Sequence, residues 1–216
     1  MLFLTTLACG TCGDDDALME CLSPTQTPDY YAEISSRYFD TMDYRVEHEA
    51  MPYSELVARW EWPPWLKLTA FNRDNIESTD TLLVLYPSIV EDRVCEGFDT
   101  QPFGRCTVTF YYDAHDGKPC PIYEEFVFND AGEVTWIEAW SDLDGYRDVP
   151  RLSGRIPGLG NAEGLIDLDS EAMLAAAAED SDVQDFVTRA NDWRDTWLAE
   201  LEASDGDAMW EEGCGW

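Results

Sequence analysis

The sequence predicts an α+β fold, and three features of its patterning carry that expectation. Apolar residues recur at helical spacing up to about residue 85. The period then switches to two as far as residue 140, with tight-turn sequences between the alternating runs, and beyond residue 169 the helical period returns. Strands joined in succession by such short turns pair antiparallel, so the middle of the chain reads as an antiparallel sheet with helices before and after it. With 216 residues there is enough chain for one well-filled core, or one core plus an appended subdomain. Hydrophobic residues at 45% and aromatic residues at 13% exclude a disordered chain, because so much apolar surface is available to bury.

Residues 1–26 read as a signal remnant and a tether. The run Met1-Leu-Phe-Leu-Thr-Thr-Leu7-Ala8-Cys9-Gly10 is apolar over only about a third of a membrane span and gives way to Asp14, Asp15 and Asp16. Its Leu-Ala-Cys-Gly end resembles that of a bacterial lipoprotein signal. That resemblance implies lipidation of Cys9, export to the cell envelope, and a membrane link through the lipid alone. It departs from the pattern in three places: the apolar run is short, no basic residue precedes it, and Thr6 stands where an aliphatic residue is usual. The other reading is a frayed cytosolic N-terminus with incidental cysteines.

Thr27-Pro28-Asp29 is a helix start, with a capping hydroxyl and a proline in the first turn. Tyr31, Ile34, Tyr38 and Met42 then mark one buried stripe. A second short helix is expected from Tyr53 to Trp60, stopped by Pro63-Pro64. Asp74 can cap a third helix carrying Ile76, Leu82, Leu83 and Leu85, which ends near Pro87. Strands are expected at 88–97, 105–113, 121–128 and 133–140, with turns at His115-Asp116-Gly117 and Asn129-Asp130-Ala131-Gly132.

The stretch 142–170 is rich in Gly, Pro and Asp and reads as an extended surface arm. Gly158-Leu159-Gly160 within it is no dinucleotide fingerprint, since Gly164 comes one place too late and no strand precedes it. Two helices follow, near 169–179 and 182–203, the second with an apolar face of Val183, Phe186, Val187, Ala190, Trp197, Leu198 and Leu201. The domain division is therefore 1–26 tether, 27–142 central domain, and 143–216 arm and terminal helices packed on that domain.

Charge narrows the function classes. Thirteen basic residues against 45 acidic ones leave a formal net charge of -32, which repels phosphate backbones and anionic headgroups, so nucleic acid is excluded as a partner. Seven cysteines with only His48 and His115 give poor support to a zinc site. The acidic turns at Asp142-Leu143-Asp144-Gly145 and Asp205-Gly206-Asp207 lack a full calcium ladder, so no metal and no cofactor are expected. Beyond Cys9, six cysteines can form three disulfides in an oxidising compartment. Cys95 and Cys106 are the expected pair, on neighbouring strands flanking the Phe98–Gly104 turn.

The segment Pro121-Ile-Tyr-Glu-Glu-Phe-Val-Phe-Asn-Asp-Ala-Gly-Glu-Val134, with Arg37-Tyr38-Phe39 on the first helix, resembles the nuclear transport factor 2-like superfamily, SnoaL-like and ketosteroid isomerase-like members included. The resemblance covers roughly residues 27–142. It implies a cone-shaped, curved antiparallel sheet packed with three N-terminal helices, to which this chain adds a C-terminal helical extension. In that family the concave face of the sheet lines a cavity.

Pairing across the 129–132 turn sets Phe128 opposite Glu133. Glu124, Phe126 and Phe128 then share a face with Thr135, Ile137 and Ala139, while Tyr123, Glu125, Val127, Trp136, Glu138 and Trp140 share the other. Both faces hold bulky apolar groups, so the second must be covered by the terminal helices or by a second subunit in a homodimer through the sheet. The resemblance puts Glu124 in the cavity, with Phe126, Phe128 and Ile137 as ligand contacts.

A carboxyl in that setting is biased toward the neutral acid. In ketosteroid isomerases a tyrosine and a protonated acid polarise a carbonyl while an aspartate moves the proton. By resemblance Tyr38 falls at the tyrosine and Glu124 at the acid, and the proton-moving position falls at Trp62, which cannot act as a base. Glu61 beside it points the other way if this segment is a strand. Trp60, Trp62 and Trp65 around Pro63-Pro64 read as an aromatic rim of the cavity or as a hydrophobic staple. Tyr38 can equally be a core tyrosine, and Glu124 can meet an arginine or a backbone donor.

Three functions follow as expectations. The first is an exported domain binding a hydrophobic small molecule; the second is an enzyme of isomerase, cyclase or dehydratase type using Tyr38 and Glu124. The third is a structural cell-envelope domain whose cone is filled by its own side chains.

Overall fold

Thr27 opens the first helix: its hydroxyl oxygen accepts the Tyr30 N–H, and proline follows in the first turn of α1 (Pro28–Tyr38). The computed structural model describes residues 24–62, 70, 72–85, 87–113, 116–142, 152, 155, 156, 168–192 and 203. Cys9, nearly all of the tether, Trp65, most of the arm and the second half of the last expected helix lie outside them. Tyr31, Ile34, Ser35 and Tyr38 form the buried stripe of α1, and a 3-10 turn over Phe39–Thr41 carries the chain on.

The expected second helix is a strand. β1 (Tyr53–Trp62) puts Val57 and Arg59 on one side and Ala58 and Trp60 on the other, all of them buried. A strand buried on both faces loses the polar–apolar alternation that marks a half-exposed one, and so its apolar residues can be read at helical spacing. Two α-helices, rather than three, therefore precede the antiparallel strands among the described residues. α2 (Arg73–Leu85) is the second; Asn72, two residues ahead of the expected Asp74, accepts the Asn75 N–H at its start. The side chains of Leu82, Leu83 and Leu85 fall outside the described residues.

The four expected strands form as β2 (Ser88–Gly97), β3 (Gly104–Tyr112), β4 (Pro119–Phe128) and β5 (Val134–Ser141). They are antiparallel neighbours in a five-stranded, curved and unclosed sheet of order β1-β5-β4-β3-β2. β1 adds to β5 in parallel, so the sheet is mixed rather than wholly antiparallel. That position makes β5 an interior strand, and all eight of its residues are buried.

The β4–β5 register differs from the expected one by two residues: Phe126 faces Ile137 and Glu124 faces Ala139. Asn129 is the reason at the turn, since its side-chain oxygen accepts both the Ala131 and the Glu133 N–H, drawing Glu133 into the loop. An irregularity between Val127 and Phe128 takes up the rest, leaving Phe128 opposite Val134 and Thr135 without a direct partner. A shift of two preserves the faces. Glu124, Phe126, Phe128, Ile137 and Ala139 stay together as expected, and Thr135 bonds the Val127 carbonyl instead.

Cys95 and Cys106 are direct cross-strand partners on β2 and β3 and form a disulfide. Cys120 is disulfide-bonded as well.

The sheet separates two cores. α1 packs over the face carrying Phe126, Ile137, Val108 and Phe110. The opposite face, with Trp60, Val127 and Trp136, is covered by Met173 of α3 (Glu171–Glu179) and by Val183, Phe186 and Ala190 of α4 (Ser181–Asp192). Of the two covers open to this face, the terminal helices thus provide one. Glu138 ties the arm to the same face by accepting the N–H of Leu152 with one carboxyl oxygen and the Trp136 indole N–H with the other.

A buried polar cluster and the cleft above it

Strand alternation turns Arg59 and Glu61 away from Trp60 and Trp62, into the α1 side of the sheet. Arg59 is 1% exposed there, and its burial would be costly without compensating partners. Nη1 donates to the Asp80 Oδ1 of α2 at 2.9 Å and to the Tyr38 Oη at the end of α1 at 2.7 Å. Asp80 is secured from its other oxygen, where Oδ2 accepts the Thr41 hydroxyl at 3.1 Å and the Tyr53 hydroxyl at 3.4 Å. Four separate elements of the chain therefore meet on one ion pair.

Burial opposes the Arg59 charge, yet Tyr38, Asp80 and Glu61 outweigh it and hold the guanidinium well above its ordinary range. Burial likewise pushes the Tyr38 and Tyr53 hydroxyls well up. Glu124 lies in the same field. Its desolvation raises it well above the usual glutamate value; Arg59 pulls it down, while Glu61 and Asp80 push it further up. Its Oε2 is buried without a hydrogen-bond partner. Burial thus biases Glu124 toward the neutral acid.

Above Asp80 opens a cleft of about 510 Å³. Its floor is Thr41, Met51, Tyr53 and Asp80, all buried, and its rim is His48, Ala50, Glu77, Thr81 and Val84. Glu77, Asp80, Thr81 and Val84 occupy successive turns of α2, so one face of that helix forms a wall. Among the described residues no group of His, Cys, Asp and Glu could hold a metal ion.

The residues expected at the site are divided by the structure. Tyr38 and Glu124 come together around Arg59, and Phe126 packs edge-on to Tyr38 at 5.2 Å between ring centres. Ile137 stands beside Phe126 on β5, while Phe128 lies farther along β4 against Tyr31. All five are buried, and none lines the cleft. Trp62 is on the opposite face, 6.1 Å from Trp60 and packed with the terminal-helix core, so it is not in the Glu124 cluster. Glu61, its neighbour, takes the inward direction in its place.

Arg59, Asp80, Tyr53 and Thr41 are the residues that sequence reasoning missed. Two signals were present. Arg59 interrupts the apolar run Leu56-Val57-Ala58-Arg59-Trp60, and Asp80 sits four residues after buried Ile76, on the stripe a helix buries.

No protein-family model, no curated protein and no solved structure matches this chain.

Proposed function

We propose that this chain is an exported domain that binds a small molecule with an apolar body in the cleft over Asp80, and needs no cofactor to do so. The cleft itself carries the reading. Its volume falls within the range of small-molecule pockets, roughly 300–1,000 Å³, at about 510 Å³. Its floor joins apolar Met51 and the Tyr53 ring to a carboxylate already fixed by three hydrogen bonds. Such a floor is preorganised, so a ligand would meet it without ordering it first. Kinship to the nuclear transport factor 2-like superfamily, with the curved sheet and α1 as a cone, is supported by the run of four antiparallel strands and the packing of α1 on them. A lipid anchor at Cys9 would hold the domain at the cell envelope.

The binding reading is preferred to that of a carbonyl-polarising enzyme acting through Tyr38 and Glu124. Burial does favour the protonated form of both groups, as that chemistry requires. Neither lines the cleft, however, and Arg59 already donates to the Tyr38 oxygen. The aromatic packing around Tyr31, Phe103 and Phe128 also supports a purely structural envelope domain.

Native mass spectrometry of the purified chain, beside Val84→Trp, tests the proposal. The expected result is a co-purifying apolar adduct on the wild type that the tryptophan, by filling the cleft, removes. An adduct retained by Val84→Trp would overturn the cleft as its site.

A further inference from the structure

We infer that the cleft selects a cationic amphiphile, a protonated or quaternary amine carried on an apolar body. This rests on the cleft being the binding site. Among the described residues the lining contains no arginine or lysine, and His48 is the only one of them able to carry positive charge. It contains two carboxylates, Asp80 on the floor and Glu77 one turn earlier on the wall. Asp80 receives all its described partners from the protein side: Arg59 at Oδ1, and the Thr41 and Tyr53 hydroxyls at Oδ2. Arg59 does not reverse the sign of the site, because it also faces the buried carboxyl group of Glu61. Glu77 is exposed and no described cation pairs with it.

The neighbouring surfaces suit the rest of such a ligand. Tyr53 offers an aromatic ring on which an ammonium group gains attraction. Met51 and Val84 can pack an alkyl chain. Over longer distances the formal net charge of -32 draws cations in and repels fatty acids and phosphorylated metabolites.

Isothermal titration of the full chain with three decyl probes below their micelle concentrations tests this. The probes are decyltrimethylammonium, decanol and decanoate, in buffer of physiological ionic strength to screen diffuse surface attraction. Decyltrimethylammonium should bind saturably at one site, about tenfold more tightly than decanol, and decanoate should not bind. Glu77→Gln, at an exposed position, should weaken the ammonium probe by about threefold to tenfold and leave decanol unchanged. Val84→Trp should abolish both. Decanol or decanoate binding as well as the ammonium probe, or Glu77→Gln without effect, would overturn the charge selection while leaving the cleft intact. Absence of saturable binding by any probe, or binding indifferent to Val84→Trp, would remove the cleft reading and this inference with it.

Discussion

Arg59 on β1 and Asp80 on α2 form an ion pair at 2.9 Å with side chains only 1% and 5% exposed. It is the hub of the α1 side of the sheet, because Tyr38 and Thr41 reach it from two other parts of the chain and Tyr53 from the start of β1. A buried pair of this kind gains little over a well-packed apolar pair, but leaving one member behind is expensive.

Arg59→Met should therefore cost about 3–5 kcal/mol, since it leaves Asp80 buried with only hydroxyl partners. Asp80→Leu should cost a similar amount. The double variant should recover most of the loss in urea unfolding, and simple additivity of the two single changes would contradict the pair as drawn.

Glu124 gives the chain a dependence on pH. Its folded-state pKa is raised above the unfolded value, so its contribution to stability is fully present below the ordinary glutamate value of 4.5 and is lost as pH rises toward the raised folded value. Glu124→Gln should flatten that part of the profile and be at least as stable as wild type at neutral pH, while Glu124→Ala leaves a void and loses stability at every pH. Unfolding of the three proteins across pH checks this. A glutamine variant clearly weaker at neutral pH would mean that the carboxylate is an anchor.

The Cys95–Cys106 bridge closes a loop of sequence separation 11 between directly paired strands. Replacing both cysteines by alanine should lower stability by about 3 kcal/mol without altering the far-UV circular dichroism of the folded state. Thiol counting on unfolded, unreduced protein should find neither residue free.

Gly97 and Gly104 set how closely α1 lies on the sheet. A Cβ at Gly97 would stand 1.8 Å from the Pro28 carbonyl oxygen in the first turn of α1. At Gly104 it would meet the Ser35 hydroxyl at 2.0 Å, a group that can rotate. Gly97→Ala should cost about 1–3 kcal/mol and exceed Gly104→Ala. Equal and negligible losses in thermal unfolding would show that α1 is not held so close.

Local patterning by itself determined much of the protein. Runs of strand-forming residues bounded by turn sequences announce β2 to β5, because each has a connecting loop at hand within the local sequence. Thr27 and Pro28 announce α1 in the same local terms. The face holding Glu124, Phe126 and Ile137 was legible despite a wrong register, because an error of two residues cannot turn a strand over. So too was the upward shift of the Glu124 carboxyl, which follows first from its burial. Tertiary structure alone decided β1, whose partner β5 lies some eighty residues later and whose two buried faces erase the alternation. It alone decided that Arg59, Asp80 and Tyr38 meet, since no spacing in the chain relates them and only the packing of a helix end, a strand and a second helix brings their charges within reach. The cleft over Asp80 follows from the same packing. A cavity is the space between elements, and no one of those elements carries its shape.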